Sequence, residues 1–497
     1  MEEIKAKLKA IFGAANVSDD PKVLAGYASD KSFAKSIAPA YVVKAANADQ
    51  VEALVKYANE AKLPLIPVSS AAPHYRGDTV PSVAGAVIVD LSGMKKIISI
   101  NPLHRMAVIE PGVTYGEFQK ALAEKGMHIA YTLAPRAGKS VLADVMDCEP
   151  RLNAMHGWSY TEPFRCVEVT WGDGRRMYTG DAANGGPVGS LEKQFTEEKW
   201  QVSPLGPMML DFYRLLTQSQ GTMGIVTWAS VRCELAHQAH DCFFVTANEE
   251  KDLLNFVWDV NHVRFSEEMF IMNKAQVANL IGKDAAEIAA LKTALPAWIV
   301  FVGVGGRELL PKERCAQQAA DVEEIAQKNK LTLVRSIGGV SASAFYKKAI
   351  SVCPEDKYWK ETYKGAFQSI FFLSKIDDTA MFIDKMNAVA AAAGYPVSDI
   401  GVYVQPIHMG TEYHVEFTLP YDPENKKETA LVKDLFIKAS EALAAAGAFY
   451  ARPHGPWARI QLNKDAMNTK ALTTIKGIFD PNGILNPGKV CDSSLRA

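Results

Sequence analysis

The spacing of hydrophobic residues along the chain changes repeatedly between the period of a helix and that of a strand, which predicts a mixed α and β protein. Residues 41–68 show this first, because an apolar strand, a helix and a second apolar strand follow one another, with Asp49 as the predicted N-cap of the helix. One face of that helix would be apolar and buried, formed by Val51, Leu54, Val55 and Ala58.

The stretch 69–116 carries the most informative pattern. A loop of small residues, SSAAPHYRG, leads into two strand-like segments, and Thr114 with Glu117 three residues later predicts the start of a helix. Small side chains let backbone N–H groups approach a ligand closely, and several such groups together suit phosphate oxygens. A tight turn between strands is the commoner use of such a loop, so the loop alone leaves both interpretations open.

Three further patterns lie in the first half of the chain. Residues 135–140 form a loop with Gly and Ser ahead of a predicted helix, which is a favourable place for an anion. Asp173 and Gly174 separate two strand-like runs and predict a hairpin, and Gly221 opens a buried strand. Residues 182–207 between these patterns are interpreted as a surface excursion.

The second half of the chain begins at a predicted boundary near residues 236–241. Beyond it, apolar strands alternate with amphipathic helices to about residue 445. Strands and helices at this spacing predict an antiparallel sheet with helices on one face. Near the C-terminus, residues 470–478 predict a helix and residues 481–483 a turn.

Composition limits the classes of protein that remain. A chain of 497 residues is long for one core, so two domains are expected. The net charge of −2 gives no electrostatic reason to expect nucleic acid or an acidic membrane as a partner. Seven cysteines without a CxxC pair favour reduced thiols in the cytoplasm. No apolar run approaches the roughly 18 residues of a membrane span, and the charged N-terminal helix is not typical of a signal peptide.

The chain carries four runs of special interest: VIVDLSGM at 87–94, IEPGVTYGEF at 109–118, GTMGIVT at 221–227 and FDPNGILNPGK at 479–489. They are spread over most of the chain and resemble motifs of the vanillyl-alcohol oxidase/para-cresol methylhydroxylase superfamily of flavoproteins. The small-residue loop departs from that superfamily, since two alanines and a proline stand where glycines are usual.

The resemblance implies an α+β fold in which an FAD-binding domain of this type is joined to a substrate, or cap, domain. The FAD-binding domain would span 1–236, with a small α/β lobe at about 1–98 and a second lobe at about 99–236. The cap domain, an antiparallel sheet with helices on one face, would span 237–454. Residues 455–497 would return to the FAD-binding domain.

FAD is the cofactor that the resemblance implies. Several relatives attach FAD covalently, and His74 is the candidate for such a bond here; a noncovalent cofactor beside His74 is the alternative. The expected cofactor-binding residues are Ser69, Ser70, Ala71, Ala72, His74, Tyr75, Arg76, Gly77, Pro135, Lys139, Ser140, Gly221, Thr222, Gly224, Ile225, Val226 and Asn486.

The implied reaction is hydride transfer from a substrate C–H bond to the flavin. Such a reaction needs a base for the hydroxyl proton of the substrate and a cation that stabilises developing negative charge. Two polar clusters, at 403–414 and 450–457, offer these groups, and strand alternation places Tyr403 and Gln405 on one face. The candidate catalytic residues are Tyr403, His408, Tyr450, Arg452 and His454.

The substrate class is open between two branches of the superfamily. An arginine can neutralise a phenolate or a carboxylate, and we favour a phenolic or aryl-alcohol substrate. The alternative is a 2-hydroxy-acid dehydrogenase of the glycolate or D-lactate type, whose metal-ligand motifs are replaced here by HMGTEYH and PHG. No metal is therefore expected, and the ligand set in that alternative would be His408, His414, His454 and Glu416.

A third interpretation is a flavoprotein subunit that passes electrons to another protein. The expected partners are thus a small-molecule substrate and, in this third case, an electron-accepting protein such as a cytochrome. A homodimer is also left open.

Overall fold

The computed structural model describes residues 2–157, 159, 161–179, 212–354 and 358–490. The predicted surface excursion at 182–207 lies outside these residues. None of the helices in the described part combines the length and apolar character that a membrane crossing needs.

The N-terminal sheet has four strands in the order β1-β2-β4-β3. Strands β2, β3 and β4 run parallel, so that Tyr41 and Leu65 both pair with Val87. The strands are β1 (Val17–Ser18), β2 (Tyr41–Lys44), β3 (Leu65–Val68) and β4 (Val87–Asp90). The helices of this region are α1 (Glu2–Phe12), α2 (Pro21–Ala28) and α3 (Ala48–Ala61).

Helix α3 has the predicted apolar face but a different N-cap. All four predicted positions on that face are buried, which confirms the period of the pattern. The cap is Asn47, whose side chain accepts a hydrogen bond from the Gln50 amide at 3.0 Å. Asp49 lies within the first turn and forms a salt bridge with Arg176 instead.

The second sheet has the strand order β5-β6-β10-β8-β9, and β7 pairs with the end of β10. Thr114 caps the helix that follows β6 and forms the predicted capping box with Glu117, and the hairpin at Asp173–Gly174 joins β8 to β9, as predicted. Its strands are β5 (Ile97–Asn101), β6 (Met106–Ile109), β7 (Met127–Ile129), β8 (Phe164–Trp171), β9 (Arg176–Thr179) and β10 (Gly224–Leu235), with helices α4 (Tyr115–Ala123) and α5 (Val141–Met146).

The third sheet is antiparallel, as predicted, and has the order β14-β11-β13-β12-β18-β19-β17. A separate hairpin pairs β15 with β16. The strands are β11 (Ala239–Ala247), β12 (Glu268–Asn273), β13 (Trp298–Gly306), β14 (Leu333–Val334), β15 (Ser336–Ile337), β16 (Val340–Ser341), β17 (Ala366–Ser374), β18 (Gly401–Ile407) and β19 (Glu412–Tyr421). The helices are α6 (Lys251–Val263), α7 (Lys274–Ile281), α8 (Ala285–Ala294), α9 (Pro311–Lys328), α10 (Ala342–Ile350), α11 (Thr379–Ala393) and α12 (Lys426–Ala445).

Helices pack on both faces of this third sheet, whereas the sequence predicted them on one face. Helices α6, α9, α11 and α12 cover one face and form a large apolar core with it. Helices α7, α8 and α10 pack on part of the opposite face. Because α7 begins at the residue after β12 ends, the chain has no length in which to return to the first face. The remainder of the opposite face, including Tyr403 and Glu416, faces loops of the first two sheets.

The C-terminal segment returns to the N-terminal sheet. It carries helices α13 (Pro456–Leu462) and α14 (Ala466–Phe479). The backbone amide of Leu65 donates to Ile484 O at 2.8 Å, and the amide of Asn486 donates to Leu65 O at 2.8 Å. The predicted FDPNGILNPGK motif is therefore held against the edge of β3.

Candidate functional site

A cavity of about 430 Å³ lies where loops of the first two sheets meet the third sheet and the start of α13. Its wall on one side consists of the small-residue loop, residues 132–150 and the turn before β10. On the other side the wall consists of residues from 358–371, β18 and β19. The cavity thus brings together all regions in which the sequence predicted cofactor or substrate contacts.

The small-residue loop contributes most of its length to the wall. Ser69, Ser70 and residues 74–77 line the cavity, as the expected cofactor contacts would. Gly77 has φ +73°, and a Cβ atom there would lie 2.9 Å from Ala34 Cβ, so the loop requires glycine. Ala71 and Ala72, also expected contacts, are exposed outside the wall.

The loop before α5 presents two cations, Arg136 and Lys139, and one capping residue. Pro135 and Lys139 line the cavity, and Lys139 has no carboxylate within salt-bridge distance in the described part of the chain. Burial lowers the pKa of the Lys139 ammonium. Ser140, an expected contact, instead caps α5: its Oγ accepts from the Ala143 amide at 3.1 Å and donates to Pro111 O at 2.6 Å.

The turn before β10 closes the same wall. Gly221 has φ +70°, and a Cβ atom there would lie 2.5 Å from Pro67 Cγ. Gly221 and residues 224–226 line the cavity. Two other expected contacts lie behind them, since Thr222 Oγ1 donates to Ser219 O at 2.7 Å and Asn486 Nδ2 donates to Gln220 O at 2.7 Å. These bonds connect the turn to the C-terminal motif.

This half of the wall fits a dinucleotide cofactor. Four cationic side chains line it, and cations among small residues suit a diphosphate. His454 also lines the cavity, and its Nδ1 is buried without a hydrogen-bond partner among the described residues. The cations are Arg76, Arg136, Lys139 and Lys489.

Five charged or titratable side chains form a network beside these cations. Arg76 donates to Glu149 Oε2 at 2.5 Å and also to Asp147, and Arg452 donates to Glu149 as well. His454 Nε2 donates to Asp147 Oδ1 at 2.9 Å. Burial alone would raise the pKa of Glu149, but Arg452 and Arg76 hold it well below its usual range. Burial and the charge of Arg76 lower the pKa of His454 to about 3, so His454 is neutral at pH 7.

The opposite end of the cavity is lined by aromatic rings. The Tyr75 and Phe367 rings stack with centroids 5.2 Å apart, and Tyr358 lies 5.5 Å from Tyr75 and 5.7 Å from Phe367. Tyr403 also lines this end, and its hydroxyl donates to Gln405 Oε1 at 2.8 Å. Burial raises the pKa of both Tyr358 and Tyr403 well above the ordinary value, so both hydroxyls stay protonated.

One buried carboxylate, Glu416 of β19, lies among these rings. Its Oε1 accepts hydrogen bonds from Lys360, from Ser369 Oγ at 2.6 Å and from Thr418 Oγ1 at 3.3 Å. Its Oε2 has a more distant neighbour, His414 Nε2 at 3.6 Å. Burial alone would raise the pKa of Glu416, but Lys360 and then His414 hold it far below its usual range. Glu416 is therefore a carboxylate whose Oε2 can accept a further hydrogen bond.

The five candidate catalytic residues occupy different environments. Tyr403 and His454 line the cavity, and Arg452 lies directly behind it in the Glu149 network. Tyr450 does not reach the cavity, because its ring stacks on Trp457 in the apolar core and its hydroxyl donates to Ser440 O at 2.8 Å. His408 does not reach it either.

His408 lies in the turn between β18 and β19. His408 has a φ of +48° and Met409 a φ of +58°, and this left-handed backbone ends β18 at Ile407. The alternation of side chains along β18 therefore does not determine where the His408 side chain lies. His408 Nδ1 lies 3.2 Å from Glu412 Oε2, and the residue lines a separate cavity of about 70 Å³. The ligand set of the hydroxy-acid alternative is consequently dispersed, with His454 bonded to Asp147 and His414 beside Glu416.

Several wall residues carried no usable signal in the sequence. Lys360 lies in a run, YWKETYKG, that matches no motif. Glu149 lies three residues beyond the end of α5 and belongs to no motif. Glu416 was named only as a metal ligand, yet the period of β19 already placed it on the same face as His414.

Comparison with known proteins identifies the cofactor. Residues 39–139 match the family model of the FAD binding domain, and residues 376–490 match that of the C-terminal domain of FAD linked oxidases. The first range contains the small-residue loop and the second contains Glu416 and the returning C-terminal motif.

Three characterised relatives align with the chain. The 4-cresol dehydrogenase [hydroxylating] flavoprotein subunit of Pseudomonas putida is 23% identical, over 97% of this chain and 94% of the relative. Glycolate oxidase subunit GlcD of Bacillus subtilis is 21% identical, over 100% and 98%. The 1'-carboxy-chondrochloren decarboxylase of Chondromyces crocatus is 25% identical over 60% of this chain, which spans only 53% of that protein.

A solved structure shares the fold. The structure of p-cresol methylhydroxylase with substrate bound aligns with a TM-score of 0.80 at 21% identity, over 99% of this chain and 96% of that one. The flavoprotein resemblance inferred from the four motifs, the α+β fold class and the FAD cofactor are thereby confirmed. The chain is an FAD-dependent oxidoreductase of the FAD-linked oxidase family, with the two-domain fold of p-cresol methylhydroxylase.

Proposed function

We propose that this enzyme oxidises a phenol or an aryl alcohol. The observation that carries the proposal is the aromatic end of the cavity, where Tyr75, Tyr358 and Phe367 surround the Lys360–Glu416 pair. Rings at these separations favour a further aromatic ring by stacked and edge contacts. The likeness to the 4-cresol dehydrogenase flavoprotein subunit supports the same substrate class.

Glu416 and Lys360 are the proposed catalytic residues. The Glu416 carboxylate would accept a hydrogen bond from the substrate hydroxyl at Oε2, because Oε1 already has three donors. The Lys360 ammonium would stabilise negative charge on the substrate oxygen as Glu416 Oε2 takes up the hydroxyl proton. Tyr403 would position Gln405 and the ring wall, and its protonated hydroxyl cannot act as the base.

Bound FAD would accept the hydride. We propose that the residues lining the cofactor half of the cavity contact FAD directly and that the other five expected contacts position them. The direct contacts are Ser69, Ser70, His74, Tyr75, Arg76, Gly77, Pro135, Lys139, Gly221, Gly224, Ile225 and Val226, and the positioning residues are Ala71, Ala72, Ser140, Thr222 and Asn486.

The mode of FAD attachment is decided by precipitation of the enzyme in acid. His74 lines the cavity, and burial lowers its pKa, so it is a neutral nucleophile at pH 7. Flavin that remains in the washed pellet of the wild type but not of His74→Ala would establish the covalent bond. A yellow supernatant would show that His74 only lines the loop.

A 2-hydroxy acid is the second candidate substrate. Lys360 and Arg136 both line the cavity, and either cation can pair with a carboxylate as well as with a phenolate. The likeness to a glycolate oxidase subunit supports this alternative.

An electron-accepting protein is the proposed partner. The 4-cresol relative is named a flavoprotein subunit, which supports such a partner. The six described cysteines are free thiols, which supports the expected cytoplasmic location.

Anaerobic reduction of the bound flavin tests the proposal. The purified enzyme is mixed with 4-alkylphenols, aryl alcohols, glycolate and D-lactate, and the bleaching of the flavin absorbance is followed. We expect bleaching by a phenol or an aryl alcohol, and a rate reduced at least about 10-fold in Lys360→Met but unchanged in Lys348→Met, a control at an exposed lysine of α10. Bleaching by the hydroxy acids alone would contradict the proposal.

A further inference from the structure

A second polar cluster lies on the third sheet, outside the residues that line the large cavity. His237, in the connection between β10 and β11, His240 of β11 and Glu268 of β12 each offer one ligand atom, and these atoms all lie within 4.8 Å of one another. His240 Nε2 is 2.9 Å from Glu268 Oε2. The three residues come from different elements of the chain, so only the fold brings them together.

Two glycines of β13 make the space that this cluster occupies. A Cβ atom at Gly303 would lie 2.1 Å from Glu268 Oε2 and 3.0 Å from His240 Nε2. A Cβ atom at Gly305 would lie 2.9 Å from His237 Nε2. Gly303 and Gly305 are two residues apart and so share one face of the strand. The sheet therefore omits side chains at the two positions where they would fill the cluster.

The His237 ring is buried and lacks a hydrogen bond at the atom that enters the cluster. Its side chain is 7% exposed, and Nε2 has no hydrogen-bond partner among the described residues, although Glu267 Oε2 lies 3.1 Å away. Arg307 already binds both carboxylate oxygens of Glu267, at 2.7 and 2.8 Å. An imidazole nitrogen in this position is available to a cation.

The Glu268 carboxylate is oriented by neighbours on its other oxygen. Oε1 accepts from Asn153 Nδ2 at 3.1 Å and from the Tyr346 hydroxyl at 3.3 Å, and the carboxylate is fully buried. The Tyr346 ring also stacks on His240 at 4.1 Å, which fixes the imidazole plane. Such outer contacts on the ligands are typical of metal sites.

We propose that His237, His240 and Glu268 bind a Zn²⁺ ion that fixes the junction between the second and third sheets. Two imidazoles and one carboxylate form a donor set that zinc favours, with a fourth position left for water. Ligand atoms on a tetrahedral zinc lie roughly 3.3 Å apart, so the cluster needs small shifts only. The ion would join the connection after β10 to β12 and replace the His240–Glu268 hydrogen bond.

Zinc retention by the flavin-loaded enzyme tests this site. The enzyme is treated with EDTA, dialysed, given a small excess of Zn²⁺ and desalted, and zinc and FAD are measured per chain. We expect about one zinc per chain, at least 10-fold less in His237→Gln and in Glu268→Gln, and no change in His104→Gln, which alters an exposed histidine. Zinc should raise the Tm of the wild type and of His104→Gln only.

A wild type that retains no zinc, or variants that retain as much as the wild type, would overturn the proposal in favour of a hydrogen-bonded His–Glu pair. If Glu268→Gln loses its flavin through misfolding, the zinc content of His237→Gln alone tests the proposal, since His237 lies in a connection outside the strands. FAD content reports folding independently of zinc, so failure of the metal site and failure of the flavoprotein fold are distinguishable.

Discussion

On strand β19, successive side chains point alternately into an apolar core and towards the cavity. Val415 and Phe417 are fully buried in the apolar core beneath the helices on one face of the sheet. Glu416 and Thr418, one residue away in each case, are also buried, but on the opposite face, where Thr418 and Lys360 both donate to Glu416. Both faces are buried, but one packs in an apolar core and the other lines a cavity.

The difference shows how one strand can carry both stability and chemistry. The core face gains free energy from apolar burial, about 25 cal/mol per Å². The cavity face buries a carboxylate, which is unfavourable unless cations and hydrogen-bond donors surround it. Lys360 and Ser369 supply these partners, and in doing so they leave one carboxylate oxygen for a ligand. The same period-two alternation builds both faces.

Exchange of one residue on each face should separate activity from stability. Glu416→Gln removes the carboxylate that we propose accepts the substrate hydroxyl, so kcat/KM for a phenol should fall about 100-fold or more, or about 3 kcal/mol. Phe417→Leu, on the core face, should lower Tm and leave kcat/KM within about twofold. Steady-state kinetics and thermal unfolding of the flavin-loaded variants provide both measurements, and equal activity in both variants would contradict the distinction.

Glu250, the buried N-cap residue of α6, should give stability a pH dependence of opposite sign to acid denaturation. Glu250 accepts from Thr379 Oγ1 at 2.6 Å, and burial raises its pKa to about 7. The folded state therefore holds this proton more tightly than the unfolded state, and stability is lost as pH rises through 7. Glu250→Gln should raise the free energy of unfolding by about 3 kcal/mol at pH 8 and by less than about 1 kcal/mol at pH 5.

Denaturation curves of the wild type and Glu250→Gln at the two pH values supply the comparison, and Asp252→Asn, on the adjacent exposed turn of α6, is the control. An equal effect of Glu250→Gln at both pH values would show that Glu250 is ionised in the folded protein.

Two buried tyrosines offer a smaller contrast. Tyr403 lines the cavity, whereas Tyr450 lies in the core and donates to Ser440 O. Tyr403→Phe should lower kcat/KM by about 10-fold through loss of the bond that holds Gln405. Tyr450→Phe should reduce the free energy of unfolding by about 1 kcal/mol and leave kinetics unchanged. A lower kcat/KM in Tyr450→Phe but not in Tyr403→Phe would show instead that Tyr450 acts in the site.

The wall that we propose contacts FAD follows largely from the sequence, because local motifs encode its backbone. Gly77 and Gly221 have positive φ and occupy positions where a side chain would clash, so their place in the motif has a steric cause. The capping box at Thr114 and the strand from Gly224 follow from neighbouring residues alone. Asp49 was misassigned as a cap because Asn47, two residues earlier, serves equally well.

The substrate half was less predictable, because its contacts join distant segments. Lys360 and Glu416 are 56 residues apart, and no local pattern pairs them. Alternation placed Tyr403 and Gln405 on one face correctly, but the left-handed backbone at His408 ended the strand one residue too early for His408 to follow. The sequence does not show which of Tyr403 and Tyr450 reaches the cavity, because a tyrosine can be buried in a cavity wall or in an apolar core.

The central claim is that the polar, aromatic face of the third sheet is the substrate wall. A crystal structure of the FAD-loaded enzyme with a bound 4-alkylphenol tests it most directly. We predict the ring between Tyr75, Tyr358 and Phe367, with its hydroxyl oxygen within hydrogen-bond distance of Lys360 Nζ or Glu416 Oε2. A phenol bound instead in the smaller cavity beside His408, with Lys360 and Glu416 uncontacted, would contradict the account.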